Sequence, residues 1–289
     1  MNALEKHLAT GASTTCRAWI LRRKDGVIRG FTDHDGPLEI DGIHCAAASG
    51  LTAGALDRSN GLAVDNVSAS GALSSDILTE DDLRAGRWDA AGVDIWLVNW
   101  AEPDARELLF RGTFGEISWG DGAFGVELRS LAEALNAPMG RVFQSRCDAI
   151  LGDRRCGLEL GALFAMEAEV EAVEDGRVLT VPQLRDFSPK WFERGTVIVL
   201  DGAAEGLQER IKIDRTGDDG RRIELWSSFR APLQPGDRIR IEAGCDKTAE
   251  TCRNKFNNFL NFRGFPDIPG EDWMMAYPVR DGRNDGGRS

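Results

Sequence analysis

The chain has 289 residues, which excludes a single small domain and leaves room for two domains of ordinary size or one large β-rich domain. With 42% hydrophobic and 28% charged residues, its composition is that of a folded protein and excludes a disordered chain. The net charge of -12, with no segment that concentrates lysine and arginine, argues against a general nucleic-acid binder and against binding to membrane surfaces.

The region 1–140 predicts a β-rich domain with short helices. Residues 2–9 predict a helix of one or two turns, and the alternating segment TTCRAWILRR predicts the first strand. Short strands follow and indicate a meandering sheet. Asp-Gly pairs are strong hairpin signals, and in this region they occur at positions 25–26, 35–36, 41–42 and 121–122.

The middle of this first region contains a weak pattern followed by a predicted helix. Residues 50–72 are rich in Gly, Ala and Ser and give only weak alternation. The segment SSDILTEDDLRAGRWDAA predicts a short helix that is capped by a Ser or Asp and ends near Gly86. A strand at GVDIWLVNW and two more across ELLFRGTFGEISWGDGAFGVELRSL come next, and LRSLAEALN predicts a helix that stops before Pro138.

The region 141–255 predicts a second β domain. AMEAEVEAVEDGRVLTV reads as a hairpin that turns at positions 175–176, and further strands are predicted within 196–202, 207–226 and 236–244. Charged residues alternate with Ile, Val and Leu, so one face of each strand is expected to be exposed to solvent. The predicted fold class is therefore mainly β: two small β-barrel-like domains with short helices, a cysteine-rich metal site that joins loops, and a C-terminal aromatic segment with a flexible tail at 256–289.

The cellular compartment is predicted from the N-terminus and the cysteines. The first residues have no apolar stretch typical of a signal peptide, and no run has the length of a membrane span. Six cysteines fit a reducing compartment, where spaced cysteines more often mean metal or buried thiols than disulfides. The sequence therefore predicts a protein that is made in the cytoplasm and has no membrane anchor.

Two cysteine pairs are the main candidates for a binding site: Cys147 with Cys156, and Cys245 with Cys252. Each pair lies within one predicted loop, and the intervening β domain can bring the two loops together. The spacing is wider than that of a compact zinc knuckle and suits a less compact zinc site or an iron–sulfur cluster. Each loop carries a net charge of +1, and cationic neighbours are expected to depress thiol pKa values. Ordinary thiols without a metal are the alternative.

Other reactive residue types have simpler interpretations. Cys16 and Cys45 lie in β-like segments and are predicted to pack as small apolar residues. A Cys/His nucleophile built from His44 or His34 with Cys45 is a weaker hypothesis, because none of these residues sits in a nucleophile motif and His34 is expected to bond to the backbone of its own turn. The first turn of the predicted helix carries three acidic residues, Glu80, Asp81 and Asp82. Their interaction with the helix dipole explains this position, so no cation site is predicted there.

The C-terminal segment FNNFLNFRGFPDIPGEDWMMAY concentrates large aromatic residues. Phe256, Phe259 and Phe262 recur every three positions and predict one helical face, which Gly264 and Pro266 would end. Two interpretations remain open: a helix that covers its own domain, or, together with Phe265 and Trp273, an anchor for a neighbouring subunit.

Four segments together resemble one known family. They are GFTDHDGPLEIDGIHCAAASG, WLVNWAEPDARELLFRGTFGEI, LNAPMGRVFQSRCDAILGDRRCGL and CRNKFNNFLNFRGFPDIPGEDW. They resemble the tail-tip or baseplate hub proteins of long-tailed phages and of the phage-like gene transfer agents of alphaproteobacteria. The resemblance covers nearly the whole chain, and the two cysteine segments are its most specific part.

The resemblance implies both an assembly and a cofactor. The implied assembly is a trimer whose β-barrel domains form a pseudo-sixfold ring. This ring would join the sixfold distal tail ring to the threefold tip. The implied partners are the distal tail protein, a tip or fibre (megatron-like) protein and tape-measure components. Similarity to lambda-type tail-tip proteins implies a cluster of the [4Fe–4S] type, with zinc as the alternative, on Cys147, Cys156, Cys245 and Cys252.

The predicted function is that of a non-enzymatic structural protein of the virion tail baseplate. Its ring would surround the DNA-delivery channel, and an acidic lumen would let DNA pass without specific binding. The cluster would hold together loops that have little core of their own. The competing predictions are a Cys/His hydrolase that acts on the cell wall and an iron–sulfur oxidoreductase.

Overall fold

The computed structural model describes residues 2–47, 52–53, 66–72, 79–120, 123–130, 140–217 and 220–268. The chain divides into two compact units. Unit 1 comprises Met1–Met139, Val199–Leu207 and Ser228–Gln234, and unit 2 comprises Gly140–Ile198, Gln208–Ser227 and Pro235–Ser289. The predicted division of the chain into three domains, at 1–140, 141–255 and 256–289, stays a prediction.

A nine-stranded sheet lies in unit 1. Its strand order is β3-β4-β2-β1-β7-β8-β9-β6-β5. The strands are β1 (Thr15–Arg22), β2 (Ile28–Thr32), β3 (Leu38–Ile40), β4 (Ile43–Ala47), β5 (Thr52–Ala53), β6 (Asn66–Ala72), β7 (Gly92–Asn99), β8 (Arg106–Gly120) and β9 (Ala123–Ser130).

A seven-stranded sheet is built almost entirely from residues of unit 2. Its order is β10-β16-β13-β14-β15-β12-β11. The strands are β10 (Ala165–Glu169), β11 (Ala172–Glu174), β12 (Val178–Val181), β13 (Thr196–Val199), β14 (Gln208–Gly217), β15 (Gly220–Leu225) and β16 (Arg238–Glu242).

The helices of the described residues are short. They are α1 (Ala3–Leu8), α2 (Glu80–Arg84) and α3 (Ala249–Asn254), with two 3₁₀ helices at Pro182–Leu184 and Phe259–Asn261. The predicted mainly β character is therefore confirmed. No helix in the described ranges is both long enough and apolar enough to cross a membrane.

Alternation along β1 explains how unit 1 builds its core. Trp19 and Leu21 point into a cluster that also contains Phe31 and Trp88, with Leu83 of α2 packed against it. The even-numbered positions of the strand, Cys16, Ala18 and Ile20, belong to a second cluster on its opposite face. Because side chains alternate with period two, one strand serves two apolar layers.

Asp-Gly pairs make tight turns at two of the predicted hairpins, whereas the pair at 35–36 lies between β2 and β3, which do not pair with each other. Asp41 and Gly42 have φ values of 50° and 74° and join β3 to β4, and Asp175 and Gly176 have φ values of 51° and 64° and join β11 to β12. Both pairs therefore have the two positive φ values that a type I′ turn requires. The pair at 121–122 lies outside the described residues.

The predicted simple meander of the first strands is wrong, because β4 pairs with β2 in parallel. Gly30 lies opposite Cys45 in this pairing. A Cβ atom at position 30 would lie 2.7 Å from the Sγ atom of Cys45 and 2.7 Å from the carbonyl oxygen of His44. Glycine is thus what lets the two backbones and the buried sulfur approach so closely.

The barrel-like shape predicted for both domains is also wrong. Each strand order has two ends, so neither sheet closes on itself among the described residues. The end strands β3, β5, β10 and β11 have only three, two, five and three residues. Closure needs staggered pairing of the two end strands, and strands this short offer little backbone for it.

Two helix predictions need correction. The side chain of Thr79, and not an earlier Ser or Asp, caps α2 by accepting a hydrogen bond from the backbone N–H of Asp82; the predicted end near Gly86 is confirmed by its φ of 70°. The continuous helix predicted across Phe256 to Phe262 is interrupted: α3 ends at Asn254, and Asn257 takes a φ of 48°. The helix predicted at LRSLAEALN lies mostly outside the described residues.

Candidate functional site

The four cysteines of the two predicted pairs line one cavity in unit 2. Cys147, Cys156, Cys245 and Cys252 all contribute to its wall, and its volume is about 340 Å³ with open solvent included. All four are half-buried free thiols. The tertiary structure therefore brings together two loops that lie about 90 positions apart in the sequence.

Asp153 organises the first cysteine loop. Its carboxylate accepts backbone hydrogen bonds from Ile150 at 3.0 Å, from Arg155 at 2.9 Å and from Cys156 at 2.7 Å. These bonds, led by that from Cys156, lower the pKa of Asp153, so the carboxylate is charged at neutral pH. A side chain that caps its own loop in this way fixes the backbone of Cys156 without any secondary structure.

The second cysteine loop leads into α3. The carboxylate of Asp246 accepts hydrogen bonds from the backbone and the hydroxyl of Thr248, both at 2.9 Å. The Thr248 hydroxyl oxygen in turn accepts from the backbone N–H of Thr251 at 3.2 Å, which makes Thr248 the N-cap of α3. Cys252 is held on this helix, one turn after its cap.

Three contacts join the two loops directly. The backbone N–H of Cys147 donates to the carbonyl oxygen of Lys247 at 2.9 Å, and the Nζ atom of Lys247 donates to the carbonyl oxygen of Ala149 at 2.5 Å. The side-chain amide of Asn258, just beyond α3, donates to the carbonyl oxygen of Cys156 at 2.7 Å. The loops thus have fixed positions relative to each other.

The expectation that basic neighbours depress the thiol pKa values is wrong for the second loop. Burial raises the pKa of Cys245, and Lys247 only partly offsets this. Burial, followed by the charges of the other three cysteines, raises the pKa of Cys252 to about 11. Arg253 of the same loop is exposed, as are Arg146, Arg154 and Arg155 of the first loop.

The rest of the cavity wall is mostly apolar. Phe256, Phe262, Leu151 and Ala149 contribute to it. In the described ranges, no group of three or more His, Cys, Asp or Glu side chains is arranged so that it could hold one metal ion. The cavity therefore combines four thiols with a mainly apolar surface, and its wall also includes Lys247, Thr248, Asn258 and Asn261.

The residues of the Cys/His hypothesis are not arranged for nucleophilic catalysis. Cys45 is fully buried and its pKa is raised to about 11, chiefly by burial. Its strand neighbour His44 is exposed on the opposite face. As expected, His34 bonds within its own turn, where its Nδ1 atom lies 3.0 Å from the backbone nitrogen of Gly36, and it stacks on Trp100. The prediction that Cys16 and Cys45 pack in a core is confirmed.

The acidic first turn of α2 has a structural role. Asp82 pairs with Arg87 at 2.6 Å and with Arg23 at 3.3 Å, and Glu80 pairs with Arg84 at 2.6 Å. These pairs, with the cap at Thr79, account for two of the three acids without a bound cation.

The aromatic run packs largely within unit 2. Phe256 is buried against Phe164 at a centroid distance of 5.2 Å, and Phe259 stacks on Phe262 at 5.7 Å. This second pair follows from the 3₁₀ helix, in which positions i and i+3 lie one above the other. Trp273 lies outside the described residues. The alternative, an anchor for a neighbouring subunit, stays a prediction.

Sequence reasoning missed two residues that support the site, Asp153 and Asn258. An Asp three positions before Cys156, in a loop with Gly152, is a recognisable side-chain cap of a turn and offered a signal. No local signal identified Asn258, because its partner lies 102 positions away.

The comparisons with known families identify a phage-type tail protein. Residues 1–159 match the family described as baseplate hub protein, N-terminal attachment domain. Residues 190–272 match a second family, described as phage conserved hypothetical protein BR0599. The first match spans more than half of the 289 residues, and the chain belongs to the baseplate hub family.

One solved structure to which this chain is similar comes from the virion of a native gene transfer agent (GTA) particle. The TM-score is 0.92 and the sequence identity is 52%, over 100% of this chain and 99% of that chain. No curated protein matches the chain. The predicted resemblance is confirmed, and the chain is a structural component of a phage-type tail tip, located in the virion tail baseplate.

Proposed function

We propose that three copies of this chain form a non-enzymatic ring around the DNA-delivery channel, between the distal tail and the tip. The observation that carries the proposal is the likeness, over the full length, to a chain of a gene transfer agent virion. The partners would be the distal tail protein, a tip or fibre (megatron-like) protein and tape-measure components. The net charge of -12 supports passage of DNA without specific binding, because like charges repel the phosphate backbone.

The cofactor of the ring protein is, in this proposal, an iron–sulfur cluster of the [4Fe–4S] type, held by Cys147, Cys156, Cys245 and Cys252. The residues fit such a group, because four thiols meet at one cavity whose remaining wall is largely apolar. Zinc, the alternative, needs four sulfur atoms at about 2.3 Å from one ion.

When bound, the cluster supplies a rigid inorganic body with four thiolate attachment points and one-electron redox chemistry. The chain's own residues fix the two cysteine loops that the cluster would join. Asp153 fixes the first loop, Thr248 caps the helix that carries Cys252, and Lys247 contacts the carbonyl of Ala149 across the gap. The proposed role is to cross-link the segments 140–157 and 245–268.

Substitution of single cysteines tests the cofactor. Wild-type protein purified without oxygen should be brown and contain iron and sulfide, and Cys252→Ser should lose both together with particle assembly. Cys45→Ser should retain both, because Cys45 lies in the core of unit 1. Colourless wild-type protein with stoichiometric zinc, or with no metal, would refute the cluster. Brown protein from which Cys252→Ser removes no iron would refute the ligand set.

The same preparations test the enzymatic alternatives. A cell-wall hydrolase of the Cys/His type should lose activity in Cys45→Ser, although the geometry of Cys45 and His44 provides no nucleophile–base pair. An iron–sulfur oxidoreductase should oxidise or reduce a substrate catalytically, with its centre reduced and reoxidised in each turnover. Either activity would contradict the proposed non-enzymatic role.

A further inference from the structure

Asn258 is the one side chain described here that contacts both the backbone and the sulfur of a candidate ligand. Its Nδ2 atom donates to the carbonyl oxygen of Cys156 at 2.7 Å and lies 3.5 Å from the Sγ atom of the same residue. A side-chain amide has two N–H groups, so the two contacts do not compete for one hydrogen. Asn258 is half-buried at the wall of the four-cysteine cavity.

The orientation of this amide is fixed by a neighbouring amide. The Nδ2 atom of Asn261 donates to the Oδ1 atom of Asn258 at 2.8 Å, so the oxygen faces Asn261 and the NH₂ group faces Cys156. The backbone N–H of Asn258 donates to the carbonyl oxygen of Cys252 at 3.0 Å. Asn258 therefore links one cysteine from each loop.

An N–H group directed at a ligand sulfur has a known electronic effect. It withdraws electron density from the thiolate, and hydrogen bonds to the sulfurs are among the features that set the reduction potential of an iron–sulfur centre. A donor with a fixed orientation also holds the sulfur in place, as outer-shell partners do at metal sites.

We propose that Asn258 is a positioning residue, which holds Cys156 for ligation and raises the reduction potential of the centre through its hydrogen bond to the sulfur. This inference rests on the proposed function, because it requires a metal centre on the four cysteines. Asn261 acts one step further out and keeps the Asn258 amide in the donating orientation.

The test compares the intact wild-type chain with Asn258→Asp and Asn258→Leu. Aspartate keeps the shape and the acceptor for Asn261 but cannot donate to sulfur, and leucine removes the donor without adding charge. Both variants should bind the metal, show a more negative reduction potential than the wild type and lose metal to a chelator about tenfold faster or more. Asn254→Asp, on an exposed position of α3, is the matched control and should match the wild type in both measurements.

The outcomes separate this inference from the proposed function. Wild-type protein without metal refutes the cluster and the role of Asn258 together. Metal-loaded variants with the wild-type potential and release rate refute the role of Asn258 alone. A shift in Asn258→Asp but not in Asn258→Leu also refutes it, because the added charge then explains the change. If the centre holds zinc, the release rate decides, and unchanged release overturns the inference.

Discussion

Among single residues, burial divides the six cysteines into two groups. Cys16 and Cys45 are buried in the sheet of unit 1, and the pKa of both is raised, chiefly by burial. The other four cysteines are half-buried around one cavity of unit 2. Chemical reactivity should therefore follow position in the fold and not the local sequence.

Alkylation measures this division. In metal-free native protein at pH 8, iodoacetamide should modify Cys147 and Cys156, while Cys16 and Cys45 should react only after unfolding. The pKa of Cys45 is about 11, so only about one molecule in a thousand carries the thiolate at pH 8. Peptide mass spectrometry reads the labelled sites. Rapid labelling of Cys45 in protein whose β1 amides stay protected from exchange would contradict its burial.

Among the elements, a buried ion pair fixes the loop that follows β12 in unit 2. The side chains of Arg221 on β15 and Asp214 on β14 are both fully buried, with Nε and Oδ1 at 2.5 Å. Arg221 also donates to the carbonyl oxygens of Leu184, Phe187 and Ser188. Irregular backbone is thereby held against the sheet with its acceptors satisfied.

Removal of one partner of this ion pair should strongly destabilise the fold. Arg221→Met should lower the free energy of unfolding by about 3–5 kcal/mol, because Asp214 would remain buried and unpaired. The neighbouring Arg222→Met is the matched control, since its pair with Glu174 is about half exposed and should contribute at most ~1 kcal/mol. Urea unfolding measures both. Equal losses in the two variants would show that the buried charge is not the cause.

On the scale of the whole molecule, the candidate ligands are confined to one unit. All four cysteines of the cavity lie in unit 2, within Gly140–Ile198 and Pro235–Ser289. The proposed cross-link therefore affects unit 2 directly and gives unit 1 no ligand. Binding of a metal to the folded site should stabilise the region that supplies the ligands.

Removal of the metal tests this division. A chelator should increase hydrogen exchange in the segments 140–157 and 245–268, and the amides of β1 and β7 should keep their protection, because their pairing in unit 1 involves no ligand. Mass spectrometry before and after chelation measures the change. An equal loss of protection in both units would contradict a cross-link confined to unit 2, and Cys252→Ser without chelator should reproduce the expected pattern.

Local chemistry by itself determined much of this protein. Alternation of apolar residues gave most of the strands, Asp-Gly pairs gave the turns at Asp41 and Asp175, and the segments around the cysteines identified the family. These features are readable because side-chain period and turn conformation depend on neighbouring residues.

Only the tertiary structure decided which distant segments meet. The parallel pairing of β4 with β2, the open edges of both sheets, the single cavity of four thiols and the contact of Asn258 with Cys156 all join residues that are separated in the sequence. Such pairings depend on the summed packing of the whole fold, and no local pattern encodes them. The cysteines were therefore visible in the sequence, whereas Asn258, which contacts Cys156 from 102 positions away, was not.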